Sequence, residues 1–297
     1  MHPFPEQPAA RYPALAELTP AHWECGTVRA PDGAAIHFTR TGGAKPALLL
    51  LHGVQAAGMM WLRTAQAMQA DYDVVMPDLR GHGASARVGD TLSADMMVAD
   101  VAAVIDALGL GQPAVVGHSM GADIAGRLGA ARPLRALALV DPALANVAAM
   151  LAFDIDNPPP WATALFATLR SLGDLPHTER LAAARRLLPP GTPEWDPADY
   201  VGFVEGLARF DLNLYRHTGA MGYLCEAPDV VARIGCPTLL LTARPMRPGA
   251  DLGPGLATFT GHLRSCEHVP FPDSGHFIMY DQPERFVETL RAFLRQH

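Results

Sequence analysis

Six short apolar runs, "ALLLL" (47–51), "YDVVM" (72–76), "PAVVG" (113–117), "ALALV" (136–140), "TLLLT" (238–242) and "HVPF" (268–271), punctuate the chain. Longer stretches lie between them, such as "SADMMVADVAAVIDALGL" (93–110), whose apolar residues recur at helical spacing. A run that is apolar at nearly every position suits a strand covered on both faces. Strands separated by helices pair in parallel, with the helices supplying that cover. The pattern predicts an α/β fold built on a doubly wound, mostly parallel sheet. Ahead of it, "GTVRAPDGAAIHFTR" (26–40) reads as a two-stranded hairpin, because Asp32-Gly33 supplies the backbone geometry of a tight turn.

The rhythm fails between "LALVDP" and "CPTLLLT". Residues 145–226 are helical in tendency, broken by "NPPPW" and "LPPGTPEWDP", and carry Phe153, Trp161, Phe166, Trp195, Tyr200, Phe203, Phe210 and Tyr215. This stretch is expected to be a helical cap inserted between the sixth and seventh strands, most of its aromatics forming its own core and a few facing a pocket. The expected organisation is an N-terminal arm over 1–25, a core made of 26–144 and 227–297, and the cap over 145–226.

A 297-residue chain with 49% hydrophobic and 18% charged residues can build a large core without staples. Its four cysteines, Cys25, Cys225, Cys236 and Cys266, form no C-x-x-C pair, so neither a disulfide framework nor a zinc site is expected. The net charge of −7 and a single lysine, Lys45, speak against nucleic acid or an anionic membrane surface as partner. The opening "MHPFPEQPAARYP" lacks the basic and apolar regions of a signal peptide, and no apolar run approaches the roughly 20 residues of a membrane span. A soluble, cytoplasmic protein is expected, and an assembly of identical subunits is left open.

One stretch carries chemistry. In "VVGHSMGAD" (115–123) a predicted strand runs through Gly117-x-Ser119-x-Gly121 into a predicted helix. Glycines on either side of a serine allow the close strand-to-helix approach that places a strained, exposed nucleophile at the apex. The helix starting beside Ser119 also directs N–H groups at developing negative charge.

Together with "LLHGVQAAGMMW" (50–61), "MPDLRGHGAS" (76–85) and "PDSGHFIMYDQPERF" (272–286), in that order and spacing, this stretch resembles a capped member of the α/β-hydrolase family from about residue 26 onward. The resemblance implies Ser119 as nucleophile and His276 as general base. It also implies an oxyanion hole made by the backbone N–H groups of Val54, after His52-Gly53, and of Met120. His52 and His118 are read as neighbours of the chemistry, and Asp78 and Arg80 as braces of a loop. Gly81 and Gly83 do not form a G-x-G-x-x-G opening a helix, so no dinucleotide is implied. A serine at the apex sets the chain apart from the dehalogenases and epoxide hydrolases of this family, which use an aspartate there.

The third member of a triad is less plain. Many relatives carry an Asp just beyond the seventh strand, where "PTLLLTARPMRPGADLG" (237–253) has Met246. Two carboxylates satisfy the chain order serine, acid, histidine. Asp141 ends "ALALVD", a position some relatives use, and Asp251 lies further along the loop. Their structural alternatives are a turn cap for Asp141 and an N-cap for a helix starting near Gly253 for Asp251. Both stay open.

These parts imply acyl transfer to water through an acyl-enzyme, with neither metal nor organic cofactor. The substrate expected is a small apolar carboxylic ester or lactone, held by Met59, Met60, Trp61, Phe153 and Trp161. A carbon–carbon bond hydrolase on the same machinery is the alternative within the fold. Outside it stands a non-catalytic, ligand-binding protein, for which Met246 is the best argument.

Overall fold

A computed structural model describes residues 12–144, 155–188, 192, 194–221, 223–245 and 253–297. Its eight strands are β1 (Glu24–Arg29), β2 (Ala35–Arg40), β3 (Ala47–Leu51), β4 (Asp73–Pro77), β5 (Ala114–His118), β6 (Ala136–Val140), β7 (Thr238–Ala243) and β8 (Cys266–Phe271). They form one sheet in the order β1-β2-β4-β3-β5-β6-β7-β8. The β1–β2 and β2–β4 pairs are antiparallel and all others parallel. Each of the six apolar runs is a strand, and the expected hairpin is β1–β2, with Gly33 at φ 88° in its turn.

Burial follows sheet position. Every residue of β4, β5, β6 and β7 is buried, whereas edge strand β1 is mostly exposed. Leu48, Leu49, Leu50 and Leu51 of β3 are fully shielded, each contributing about 2 kcal/mol of transfer free energy. The helices are α1 (Leu15–Leu18), α2 (Leu62–Met68), α3 (Ala94–Ala107), α4 (Met120–Ala131), α5 (Pro160–Leu172), α6 (His177–Arg185), α7 (Pro197–Ala208), α8 (Thr218–Met221), α9 (Pro228–Val231), α10 (Gly253–His262), α11 (Ile278–Asp281) and α12 (Pro283–Gln296). Helix α3 starts where Ser93 Oγ accepts the Met96 N–H at 3.2 Å, and it turns Met97, Val101, Val104 and Ile105 inward at helical spacing.

Helices α5 to α8 fall between β6 and β7 in the chain. Helix α7 begins with Asp196 accepting the Ala198 N–H at 2.9 Å and Pro197 at its first position. It lies directly on the loop after β3, so close that a Cβ on Gly202 would sit 2.5 Å from the Met59 carbonyl oxygen. One on Gly206 would sit 2.8 Å from Ala56 Cα. Six aromatics of this insert, Phe166, Trp195, Tyr200, Phe203, Phe210 and Tyr215, are buried. This agrees with a core role for most of them.

The described part of the N-terminal stretch is packed. Trp23 is buried and its Nε1–H donates to Gln69 Oε1 at 2.9 Å. The ring of Tyr12 meets that of Tyr200 edge-on at 5.5 Å. Residues 12–23 therefore pack on the rest of the molecule, and β1 begins at Glu24, within the stretch read as arm. Among the described residues, no helix is long and apolar enough to cross a membrane.

Candidate active site

Ser119 stands between β5 and α4 with φ 53° and ψ −119°, a backbone conformation that costs a side-chain-bearing residue roughly 1–3 kcal/mol. Its surroundings impose it. A Cβ on Gly117 would run into the Gly121 carbonyl, and one on Gly121 would lie 2.5 Å from the Leu51 carbonyl oxygen, so only glycines allow the turn to close. The Ser119 N–H donates to the Val140 carbonyl at 3.0 Å, tying the apex to the end of the neighbouring strand. Ser119 remains partly exposed.

Asp141 is the residue after Val140. Its backbone turns at φ 46°, and its carboxylate is held at both oxygens. Oδ1 accepts the Ala243 N–H at 2.9 Å, and Oδ2 meets His276 Nδ1 at 2.6 Å. With Nδ1–H engaged by the carboxylate, Nε2 is the basic nitrogen of the neutral ring. The side chains of His276 and Asp141 are 25% and 15% exposed, so the pair is sheltered but reachable. The Ser119 hydroxyl makes no hydrogen bond to a described residue; in unliganded enzymes such contacts are commonly long and tighten on substrate.

His118 bridges the two loops. Its Nε2–H donates to the His276 carbonyl oxygen at 2.9 Å and the two rings lie 4.5 Å apart. Burial, reinforced by nearby His276, drives the His118 pKa well below the usual histidine value, so this ring stays neutral. His52 is neutral for the same first reason: its Nε2 accepts the Leu79 N–H at 2.8 Å and its Nδ1–H donates to the Gly53 carbonyl. Neither of these rings is placed as a base.

The N–H groups of Val54 and Met120 have no acceptor among the described residues. Both residues are partly exposed, and a Cβ on Gly53, just before Val54, would lie 3.2 Å from Ser119 Cβ. Asp78 braces this loop from below, accepting the Gly58 N–H at 2.7 Å and the Ala84 N–H at 2.9 Å. Arg80 spans Asp100 and Asp32, whose hydrogen bonds raise its pKa in that order.

The expected substrate contacts fare differently. Residues 58–61 form a 3₁₀ turn that leaves Met59 partly exposed but drives Met60 and Trp61 inward, to 1% and 0% exposure. Trp61 stacks on Phe286 at 6.1 Å, and the Tyr280 hydroxyl donates to the Met60 carbonyl at 2.9 Å. These two are core residues, a correction to their reading as substrate contacts. Trp161 falls in the first turn of α5. Phe153, Met246 and the alternative acid Asp251 lie outside the described residues.

Sequence reasoning missed Asp281. Its Oδ2 accepts the Gly275 N–H at 2.6 Å and its Oδ1 accepts the Trp195 indole N–H at 2.9 Å, so one carboxylate fixes the loop before His276 to the helical insert. Nothing local to "DQP" (281–283) reveals those partners. Among the described residues no cluster of His, Cys, Asp and Glu suits a metal ion.

A serine forced into a strained turn at the C-terminal edge of a parallel sheet, beside an imidazole–carboxylate pair, defines a nucleophile-elbow α/β protein. The chain belongs to the alpha/beta hydrolase family, whose model matches residues 48–289. Lipase LipV of Mycobacterium tuberculosis is 41% identical over 113 residues, 37% of this chain and 42% of that lipase. The N-formylmaleamate deformylase of Pseudomonas putida is 37% identical over 114 residues, again 37% of this chain and 42% of the relative. The chain thus spans less than half the length of these curated relatives. Two solved structures share its fold. The N-formylmaleamic acid deformylase of Pseudomonas putida S16 has a TM-score of 0.69 at 22% identity, covering 90% of this chain and 100% of its own. An esterase of Exiguobacterium antarcticum has 0.67 at 19%, covering 91% and 98%.

Proposed function

We propose that this hydrolase cleaves a hydrophobic carboxylic ester or lactone through an acyl-enzyme on Ser119. The observation that carries the reading is the 2.6 Å contact of His276 Nδ1 with Asp141, which turns Nε2 away from the carboxylate on a loop bonded to the residue before Ser119. Ser119 Oγ attacks the substrate carbonyl while His276 Nε2 takes its proton, and Asp141 holds the ring and stabilises the imidazolium. The oxyanion is received by the Val54 and Met120 N–H groups, each such donor being worth roughly 3 kcal/mol in the barrier. His276 then returns the proton to the leaving alcohol and activates water against the acyl group.

Helices α5 to α8, with the flanking residues 145–226, are proposed as a cap over this site. Met59, Phe153 and Trp161 are proposed to contact the acyl or alcohol portion. Met246, at the position where many relatives carry the acid, is the best argument for a non-catalytic reading, and Asp141 weighs against it. Likeness to deformylases favours keeping a second reading, in which the same groups cleave a formyl or other non-ester acyl bond. Carbon–carbon cleavage would use the same serine.

A panel of p-nitrophenyl esters, aryl lactones, formamides and diketones tests both. Ester or lactone turnover that vanishes in Ser119→Ala supports the first reading, and turnover confined to formamides or diketones transfers the assignment. Ligand binding with no turnover, or activity indifferent to Ser119, removes the hydrolase proposal.

A further inference from the structure

Gln55 follows Val54 in the turn Gly53–Ala56, which closes with the Ala56 N–H donating to the Gly53 carbonyl at 3.3 Å. Its φ is 63°, left-handed backbone that glycine or asparagine adopts readily and glutamine does not. Where a turn of this kind serves only to reverse the chain, glycine is the residue that fits. The side chain here is engaged instead: Gln55 Nε2 donates to the Tyr215 hydroxyl oxygen at 2.5 Å, across 160 positions of sequence.

Tyr215 is a firm anchor. It is buried, stacks on Phe166 at 5.5 Å and meets Phe210 edge-on at 5.4 Å. Its own turn, Leu212–Arg216, is fastened to the core by Asp211. The Asp211 N–H donates to the Gly81 carbonyl at 2.8 Å, and its carboxylate accepts the Val88 N–H at 2.9 Å and the Asn213 N–H at 3.1 Å. The position of Tyr215 is therefore set by both the helical insert and the loop after β4.

We propose that Gln55 and Tyr215 are positioning residues for the reaction: their hydrogen bond fixes the Gly53–Ala56 turn so that the Val54 N–H stays aimed at the developing oxyanion. The inference rests on the reading of Ser119 and Val54 given above. It makes the insert part of the catalytic geometry. The alignment matters because an oxyanion donor acts through a fixed direction, and its benefit is confined to the transition state.

Two variants of the full-length chain test it. Gln55→Gly relieves the backbone strain but removes the tie, and Tyr215→Phe removes only the hydroxyl and keeps both ring contacts. Each is expected to lower kcat about 10- to 30-fold with KM changed less than about 2-fold, and to weaken an arylboronic acid, which mimics the tetrahedral adduct, by a similar factor. The double variant should be no worse than the poorer single one, because both remove the same bond. Parental kcat in Gln55→Gly, or a change in KM alone in Tyr215→Phe, overturns the proposal, as does an additive double variant. If no ester is turned over, the comparison is made on the rate at which a fluorophosphonate labels Ser119, with the same ranking expected. Ser119→Ala separates the two levels: parental activity or labelling that survives it defeats the functional reading, whereas activity that depends on Ser119 but not on Gln55 or Tyr215 defeats only this inference.

Discussion

His118 donates from Nε2 to the main-chain carbonyl of His276 at 2.9 Å, so the residue before the strained serine holds the loop that bears the imidazole. That bond joins the end of β5 to the segment after β8, which lie three positions apart in the sheet order β5-β6-β7-β8. Between them Asp141, at the end of β6, fastens the ring itself. The position of His276 is thus fixed twice, through the ring and through the backbone.

Replacing His118 by Phe keeps the ring volume but deletes this bond. It also removes Nδ1, which is buried without a partner among the described residues. Relief of the unpaired Nδ1 offsets the cost of leaving the His276 carbonyl without this donor. We expect kcat to fall about 10-fold with global stability within about 1 kcal/mol of the parent. Steady-state kinetics beside urea unfolding checks this; a stability loss with unchanged kcat would contradict it.

Asp141→Asn should lower kcat by about 10³- to 10⁴-fold, since an amide can favour the wrong imidazole tautomer and cannot stabilise the imidazolium. Asp251→Asn should leave kcat within about 2-fold. The reverse ranking in the same ester assay would hand the acid role to Asp251.

Asp123, one turn into α4, is buried and accepts the Leu224 N–H; burial pushes its carboxyl from 3.8 up to about 7 against the lowering effect of that bond. A carboxyl with a raised folded pKa favours the folded state fully below its unfolded value, and that contribution is lost as pH rises toward 7. The chain should therefore be more stable at pH 5 than at pH 8 through this group. Asp123→Asn should gain about 1–3 kcal/mol at pH 8 and almost nothing at pH 4. Chemical denaturation at the two pH values measures the difference, and an equal effect at both would refute it.

Deleting residues 1–23 removes Trp23 from the core and Tyr12 from Tyr200. The expected cost is about 3–5 kcal/mol, of the order of losing one buried tryptophan. Unfolding curves of the truncated and full chains decide it; coincident midpoints would restore the arm.

The sheet was legible because its signal is local: a buried strand must be apolar along its length, and "ALLLL" or "ALALV" has no other comfortable place in water. The elbow was legible for a similar reason, since Gly117 and Gly121 announce a backbone approach that no larger residue permits. Partnerships across the chain were not. Asp141 and His276 are 135 positions apart, and sequence order alone left Asp251 as good a candidate. Met60 and Trp61 were misread because an apolar residue near a reactive loop carries the same signal whether it faces substrate or core. The direction is set by the 3₁₀ turn of Gly58–Trp61, which composition does not announce. Asp281 and Gln55 were silent because each acts through a partner from the helical insert.

Gly202 and Gly206 bring α7 against the main chain of Ala56–Met59 with no side chain between them. A junction of that kind resists modular exchange: any insert carrying larger residues at these two positions would press them straight into the main chain that follows Val54. A larger residue on one side of that seam therefore requires a compensating change on the other.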